Sequence, residues 1–175
     1  MTAVDGLKAA ALLFVAAIFQ VSIFSQARVL GGEPDLLLVT LVAVALLRGS
    51  LFGACGGFFA GLLVDTATLA KLGLTSLVLT IAGYWIGRYG ETTGRDRSHA
   101  PILSVVVVTI LFSVGALMLH FMLGENAPAR EVLVDSLVPT VILNVLLAFP
   151  VHGVVRRVLG PPAWVERAPE VRLLG

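Results

Sequence analysis

The sequence predicts an all-α integral membrane protein, a compact bundle of six transmembrane helices. Hydrophobic residues make up 58% of the 175 residues and charged residues only 13%, whereas a soluble domain has about 25% charged residues. The mean hydropathy is +0.99. The apolar residues fall into six segments, at about 7–25, 34–47, 49–68, 72–87, 101–123 and 132–155. They form one domain over residues 1–157, followed by a cytoplasmic tail over residues 158–175.

Two of the six segments are short for a membrane span. Segments 34–47 and 72–87 have fewer than the about 20 residues that a helix needs to cross a bilayer. We expect them to be tilted, partly re-entrant or lengthened by their flanks. Segments 49–68 and 72–87 could also form one broken hairpin, so five spans are the alternative count.

The basic residues indicate the orientation of the chain. With six spans and a cytoplasmic start, the inside segments hold Lys8, Arg48, Arg88, Arg95, Arg97, Arg156, Arg157, Arg167 and Arg172. The outside loops hold only Arg28, Lys71 and Arg130. Cytoplasmic loops of membrane proteins are enriched in Lys and Arg, so both termini are predicted to be cytoplasmic.

The first segment has an alternative interpretation as a signal peptide. At its end, Ser25-Gln26-Ala27 resembles a signal-peptide cleavage site. An uncleaved helix is favoured because the apolar run is long.

A stripe of glycines marks the third segment. Its members recur at every fourth residue: Gly49, Gly53, Gly57 and Gly61. The next step of four reaches Asp65. A four-residue step turns a helix by only about 40°, so these residues share one face. Such a face lets a second helix approach to backbone contact, and that helix could belong to this chain or to a partner. Gly83 and Gly87 form a similar pair in the fourth segment.

Five further positions are candidates for structural or functional roles. An acid within a span is a functional candidate. Asp65 is interpreted first as a cap or ion pair, then as a partner contact, and last as a proton-coupling or substrate-coupling group. Arg48 is expected to snorkel to lipid headgroups. Pro34 in the first turn and Asp35 beside the helix N-terminus are expected to start the second helix. Asn144 is expected to hydrogen-bond between helices.

The sequence offers no pattern for catalysis or for a cofactor. The single Cys55 excludes an intramolecular disulfide and any cysteine-pair metal site. His120 and His152 are predicted at opposite ends of the bundle, where they cannot share a metal ion. The sequence shows neither paired acids, nor a nucleophile–base set, nor a phosphate-binding loop. We therefore expect no enzyme activity, no catalytic residue, no metal and no cofactor.

Several short stretches between residues 34 and 88 stand in a characteristic order. They are Pro34-Asp35-Leu36-Leu37-Leu38, Leu46-Leu47-Arg48-Gly49, the glycine stripe to Asp65, Leu72-Gly73-Leu74 and Gly83-Tyr84-x-x-Gly87-Arg88. In this order they resemble the MreD family of bacterial rod shape-determining membrane proteins. The resemblance covers about a third of the chain, and elsewhere only hydropathy agrees.

The resemblance implies a non-enzymatic inner-membrane scaffold of the bacterial elongation complex, which supports rod shape and peptidoglycan synthesis. Its partners would be the lipid bilayer, a bitopic MreC-like protein and, directly or indirectly, MreB, RodA and a class B penicillin-binding protein. No nucleic-acid partner is expected. The glycine stripe, Asp65 and the Gly83–Gly87 pair would then be helix-packing or partner-interface residues.

The family is also similar in fold to the substrate-binding subunits of energy-coupling-factor vitamin transporters, which supplies the alternative function. Those subunits carry an Ala-x-x-x-Ala pattern in the first helix, and this chain lacks it. A vitamin site also needs convergent polar side chains near the outside. The sequence offers few there, mainly Glu33, Asp35, Asp65 and Lys71.

Overall fold

The computed structural model describes residues 3–23, 31–69, 72–92, 100–122, 124 and 136–161. These residues form α-helices and no strand: α1 (Ala3–Ser22), α2 (Leu36–Arg48), α3 (Ser50–Ala67), α4 (Leu74–Thr92), α5 (Ala100–Met122) and α6 (Leu137–Leu159). Outside the described residues lie the ends of three predicted spans, at 24–25, 123 and 132–135. Residues 162–175 of the predicted tail lie outside them as well. α6 extends to Leu159, into the segment predicted as tail.

Three of the described helices are long and apolar enough to cross a membrane. They are α1 from Val4 to Ser22, α3 and α6. α2 and the Ala100–Gly115 part of α5 are shorter apolar helices. The protein is thus all-helical in its described part, with several helices suited to a bilayer.

α2 is short, and it is the central helix of the bundle. It has 13 residues, which at about 1.5 Å per residue is well short of the hydrocarbon core. Every residue from Leu37 to Arg48 is buried, and α2 contacts all five other helices. A helix that is apolar on all sides is one that other helices surround. Protein rather than lipid therefore covers α2.

The start and end of α2 are fixed by two residues of the sequence pattern. Asp35 is the N-cap, and its side chain accepts a hydrogen bond from the Leu38 N–H at 2.8 Å. Pro34 precedes this cap and so lies outside the helix rather than in its first turn. Gly49 alone separates α2 from α3, with φ of 96°. That left-handed conformation favours glycine, which allows the chain to reverse within one residue.

Two apolar clusters share α2 as their common wall. One joins α2 to α1 through Leu13 and to the end of α6 through Val155. The other joins α2 to α4 through Ile86 and to α5 through Val105 and Val108. The remaining helices are thereby held around α2, and the polar residues described next close the two ends of the bundle.

Candidate functional site

The most extensive contact between helices joins the antiparallel pair α3 and α4. Gly53 lies directly against Gly83. A Cβ atom placed on Gly53 would lie 2.7 Å from the Gly83 carbonyl carbon, and one on Gly83 would lie 2.6 Å from the Gly53 carbonyl carbon. Such distances are shorter than real Cβ contacts, so the two backbones touch.

The same contact continues along the whole glycine stripe. A Cβ on Gly57 would lie 2.6 Å from the Leu79 carbonyl carbon, and one on Gly61 would lie 2.6 Å from the Ser76 nitrogen. At the other end Gly87 meets the backbone of Gly49. We call this contact the glycine interface. It joins Gly49, the N-cap of α3, and Gly53, Gly57 and Gly61 of α3 to Ser76, Leu79, Gly83 and Gly87 of α4. The helix that faces the stripe therefore belongs to this chain.

Asp65 caps α4 from the end of α3. The residue is fully buried. Its carboxylate accepts hydrogen bonds from the N–H groups of Gly73 at 2.8 Å, Thr75 at 3.3 Å and Ser76 at 3.4 Å. The first N–H groups of a helix lack partners within the helix, and their dipoles favour a negative charge. Asp65 therefore fixes the start of α4 beside the end of α3.

Glu91 makes the reciprocal contact at the opposite end of this hairpin. Its Oε1 accepts from the Ser50 N–H at 2.8 Å and from the Ser50 hydroxyl at 3.0 Å, and Arg88 lies 3.4 Å from Oε2. Glu91 lies beyond the predicted span 72–87. Partial burial raises the pKa of Glu91, but the hydrogen bonds from Ser50 and Arg88 outweigh it and hold this pKa below its usual value. Each helix of the hairpin thus caps the other with an acid.

Arg48 connects three helices at the same end as Glu91. Its guanidinium donates to the carbonyl oxygens of Leu159 and of Pro161, the latter at 2.9 Å, and lies 3.5 Å from the Asp5 carboxylate. Only 5% of its side chain is exposed, so the expectation that it snorkels to lipid headgroups is wrong. The free carbonyls at the end of α6 attract a cation, and Arg48 supplies it.

Asn144 joins three helices at the opposite end of the bundle. It is fully buried. Its Oδ1 accepts from the Asp35 N–H at 2.8 Å, and its Nδ2 donates to the Thr109 hydroxyl at 3.1 Å. Nearby, Gln20 of α1 accepts from the Leu36 N–H at 2.8 Å. The start of α2 is therefore held by side chains from α1 and α6.

A cavity of about 450 Å³ lies beside this network. Its polar lining comes from five different parts of the chain: Gln20, Glu33, Asp35, Thr75, Thr109, Ser113, Ser136, Thr140 and Asn144. We call it the Asp35 cavity. The rest of its wall is mainly apolar and includes Leu37, Leu79 and Phe112.

A second concavity is an apolar groove of about 520 Å³ between α1 and α3. Its lining includes the small residues Gly6, Ala10, Cys55, Gly56 and Ala60, together with several leucines and phenylalanines. Cys55 is a free and exposed cysteine. We call this surface the α1–α3 groove. Its lining is suited to a hydrocarbon chain or to another helix.

The acids at both ends of the bundle serve backbone groups. Asp35, Asp65 and Glu91 each accept at least one helix N–H. Among the residues that the structure describes, no three His, Cys, Asp or Glu side chains form a group that could hold a metal ion.

Comparison with known proteins identifies the family of this chain. A family model described as rod shape-determining protein MreD matches residues 5–159, which include nearly all of the six helices. The chain belongs to the MreD family. The cell shape-determining protein MreD of Streptococcus pneumoniae is 32% identical over 90 residues, which are 51% of this chain and 54% of that protein. The match thus spans about half the length of that relative. No solved structure matches this chain.

Membership in the MreD family supports a cell shape-determining role for this membrane protein. The family consists of cell-shape proteins and is not known for catalysis. In this MreD-family chain, the motif residues between positions 34 and 88 lie at the glycine interface, at its Asp65 cap and at the two ends of α2. They are the residues that fix how α2, α3 and α4 meet.

The sequence points to Glu33, Asp35 and Asn144 but not to the other polar residues of the Asp35 cavity. Among these, Gln20 and Thr140 stand in two different apolar helices, and Thr109 and Ser113 stand together in a third. Among the polar residues of α5 and α6, only Asn144 was recognised from the sequence, because its amide stands in the middle of an apolar run. Convergence of single residues from separate helices has no local sequence pattern.

Arg48 gives the first testable prediction. Arg48→Met keeps the length of the side chain but leaves the Leu159 and Pro161 carbonyls without this donor. We expect the free energy of unfolding to fall by about 3 kcal/mol, the usual order for breaking a buried charge pair. Thermal unfolding of the purified protein in detergent measures this loss.

Arg88→Met is the matched control, because the ion pair of Arg88 with Glu91 is exposed and contributes at most about 1 kcal/mol. If the two substitutions lowered the stability equally, the buried contacts of Arg48 would not be the stabilising ones.

Proposed function

We propose that this MreD-family chain is a non-enzymatic scaffold of the bacterial elongation complex that binds the transmembrane helix of an MreC-like bitopic protein. Through this partner it supports rod shape and peptidoglycan synthesis, in direct or indirect contact with MreB, RodA and a class B penicillin-binding protein. The observation that carries the proposal is the match of the rod-shape family model over residues 5–159.

The proposed topology is a bundle of six spans in the cytoplasmic membrane, with both termini in the cytoplasm. The exposed Arg88, Arg156 and Arg157 lie at the same end of the bundle as Arg48. This distribution supports a cytoplasmic position for that end, since cytoplasmic flanks are enriched in basic residues. The Asp35 end would then face outwards.

A rigid frame suits a scaffold, and the hairpin of α3 and α4 supports one. The backbones of the two helices touch along the glycine interface, and Asp65 and Glu91 close its ends. Because α4 already occupies the glycine stripe, a partner helix has to use another surface.

We propose the α1–α3 groove as that surface. Gly6 and Ala10 lie four residues apart on α1, as do Gly56 and Ala60 on α3. Without a hydrophobic drive between helices in lipid, association depends on close packing, which small residues permit. The exposed Phe59 beside them offers an additional contact surface.

Cys55 makes this proposal directly testable. It is the only cysteine of the chain, and it is exposed in the groove. When the chain is produced with an MreC-like partner whose transmembrane helix carries single cysteines at successive positions, we expect crosslinking to Cys55 by a short bifunctional thiol reagent. The crosslinks should recur with a helical period of about 3.6 residues, and the measurement is the yield of the crosslinked band.

The matched control moves the thiol to another exposed face. In a Cys55→Ser background, Leu103→Cys places it on α5, where Leu103 is 54% exposed. This variant should give little crosslinked product. Equal yields at the two positions, or no yield at Cys55 while the partner still co-purifies, would reject the groove and leave the scaffold role to another surface. Absence of co-purification would reject the scaffold role itself.

The substrate-binding subunit of an energy-coupling-factor vitamin transporter is the second candidate function. The Asp35 cavity favours it, because about 450 Å³ lies within the range of small-molecule sites. The two candidates differ in what co-purifies with the chain. Recovery of a paired ATPase module would favour the transporter, and recovery of an MreC-like protein or a transpeptidase would favour the scaffold.

A further inference from the structure

The Asp35 cavity combines a negative charge with the space for a ligand. Asp35 is only partly buried and lines the cavity, and Glu33 lines it as well. No Lys, Arg or His is among the described lining residues. We propose that this cavity binds an organic ammonium group, carried either by a lipid headgroup or by a soluble amine.

Backbone N–H groups at the start of α2, those of Leu37 and Leu38, stabilise the charge of Asp35, but no described cation does. One carboxylate oxygen accepts from the Leu38 N–H at 2.8 Å, and no described cation forms an ion pair with this carboxylate. A carboxylate among apolar side chains is costly unless an opposite charge or several hydrogen bonds stabilise it. A cationic ligand would supply that opposite charge.

The hydrogen-bonding groups around Asp35 are already held in place. Asn144 uses its Oδ1 for the Asp35 N–H and its Nδ2 for Thr109, while the Thr140 hydroxyl accepts from the Glu33 N–H at 3.1 Å. The cavity is therefore built on a fixed polar network rather than on freely moving side chains. Such a preformed site lowers the entropic cost of binding.

The wall of the cavity favours an organic cation over a metal ion. Its volume is about 450 Å³, which suits a small molecule or a headgroup with part of its chain. Leu37, Leu79 and Leu117 cover much of the wall, and Phe112 adds an aromatic ring of the kind that attracts cations. A hard metal ion requires several oxygen ligands, whereas this wall presents mainly hydrocarbon.

The experiment uses the full chain, purified in detergent and stripped of lipid. Native mass spectrometry then compares binding of phosphatidylethanolamine and of phosphatidylglycerol with identical acyl chains. We expect the ethanolamine lipid to bind about tenfold more tightly, and Asp35→Asn to remove about that factor, since hydrogen bonds to charged groups are the stronger ones. Asparagine is also a good N-cap, so this substitution should leave the fold intact.

Competition identifies the source of the ammonium group. Displacement of the ethanolamine lipid by spermidine would assign the site to a soluble amine, and resistance to spermidine would assign it to a lipid headgroup. Ser113→Phe fills the cavity without changing its charge and should also abolish binding. Glu91→Gln, an acid substitution at the opposite end, should leave binding unchanged.

Three results would overturn the proposal. The first is measurable binding of both lipids to the wild-type protein with equal affinity. The second is undiminished binding of phosphatidylethanolamine to Asp35→Asn or to Ser113→Phe. The third is absence of binding by both the ethanolamine lipid and spermidine while the melting temperature shows a folded protein.

Discussion

Gly53→Leu is expected to prevent the chain from accumulating as a folded protein. A side chain at this position meets the Gly83 backbone and the Ala45 Cβ, the latter at 2.8 Å from a Cβ on Gly53. Overpacking a well-packed core usually costs about 1–3 kcal/mol. Here the obstacle is backbone rather than a flexible side chain, so we expect about 3 kcal/mol or more. Monodisperse protein after size-exclusion chromatography in detergent is the measurement.

Gly153→Leu is the matched control for this prediction. Gly153 also lies within a long helix, α6, but no described residue outside its own helix has an atom within 4 Å of a Cβ placed there. A leucine at this exposed position should be tolerated, and it would face lipid. Normal yield and stability of Gly53→Leu would show that the backbones of α3 and α4 do not meet. Normal folding with loss of the partner alone would instead make the stripe a partner interface.

Asp65→Leu is expected to cause the second largest loss. It removes a buried acceptor of three N–H groups at the start of α4. Hydrogen bonds to charged groups contribute about 1.5–3 kcal/mol each, and unpaired buried donors add to the cost. We expect the free energy of unfolding to fall by about 3 kcal/mol, measured by thermal unfolding in detergent.

Asp65→Asn separates the charge from the cap. Its single amide oxygen can still accept from Gly73, so we expect a loss of about 1 kcal/mol, the usual order for an N-cap. Thr66→Val is the neighbouring control, because the exposed Thr66 hydroxyl bonds only to carbonyls of its own helix. If Asp65→Asn kept full stability but abolished function in cells, Asp65 would have a charge-dependent role beyond capping.

These two predictions address one structural unit, the hairpin of α3 and α4. Its interior is a backbone contact that tolerates no side chain, and each end is closed by an acid from one helix that caps the other. Neither feature depends on the hydrophobic effect, which does not drive association between helices in lipid. A hairpin held in this way can keep the α1–α3 groove and the Asp35 cavity in fixed positions on either side.

Sequence reasoning anticipated the parts of this hairpin better than their pairing. The four-residue spacing of Gly53, Gly57 and Gly61 predicts a face for close helix contact, because the helical period is local. Gly83 and Gly87 form a second such face, yet their spacing does not say that the two faces meet. That pairing depends on a short turn and on the packing of α2 behind both helices.

Buried charge was less accessible to sequence reasoning. Arg48 lies at a predicted membrane boundary, where snorkelling to lipid is the usual outcome. In the structure it instead meets the carbonyls of Leu159 and Pro161, more than a hundred residues along the chain. Local hydropathy cannot predict a contact between residues so far apart in the sequence.

Composition, helical period and the order of short motifs are properties of neighbouring residues. They are therefore sufficient to predict an all-helical protein that is suited to a membrane and related to MreD. The fold adds that α2 is the central helix, that α4 fills the glycine stripe, that Arg48 is buried, and that polar residues of α1, α4, α5 and α6 line one cavity. Each of these depends on contacts between distant segments, which the fold creates and which no local pattern encodes.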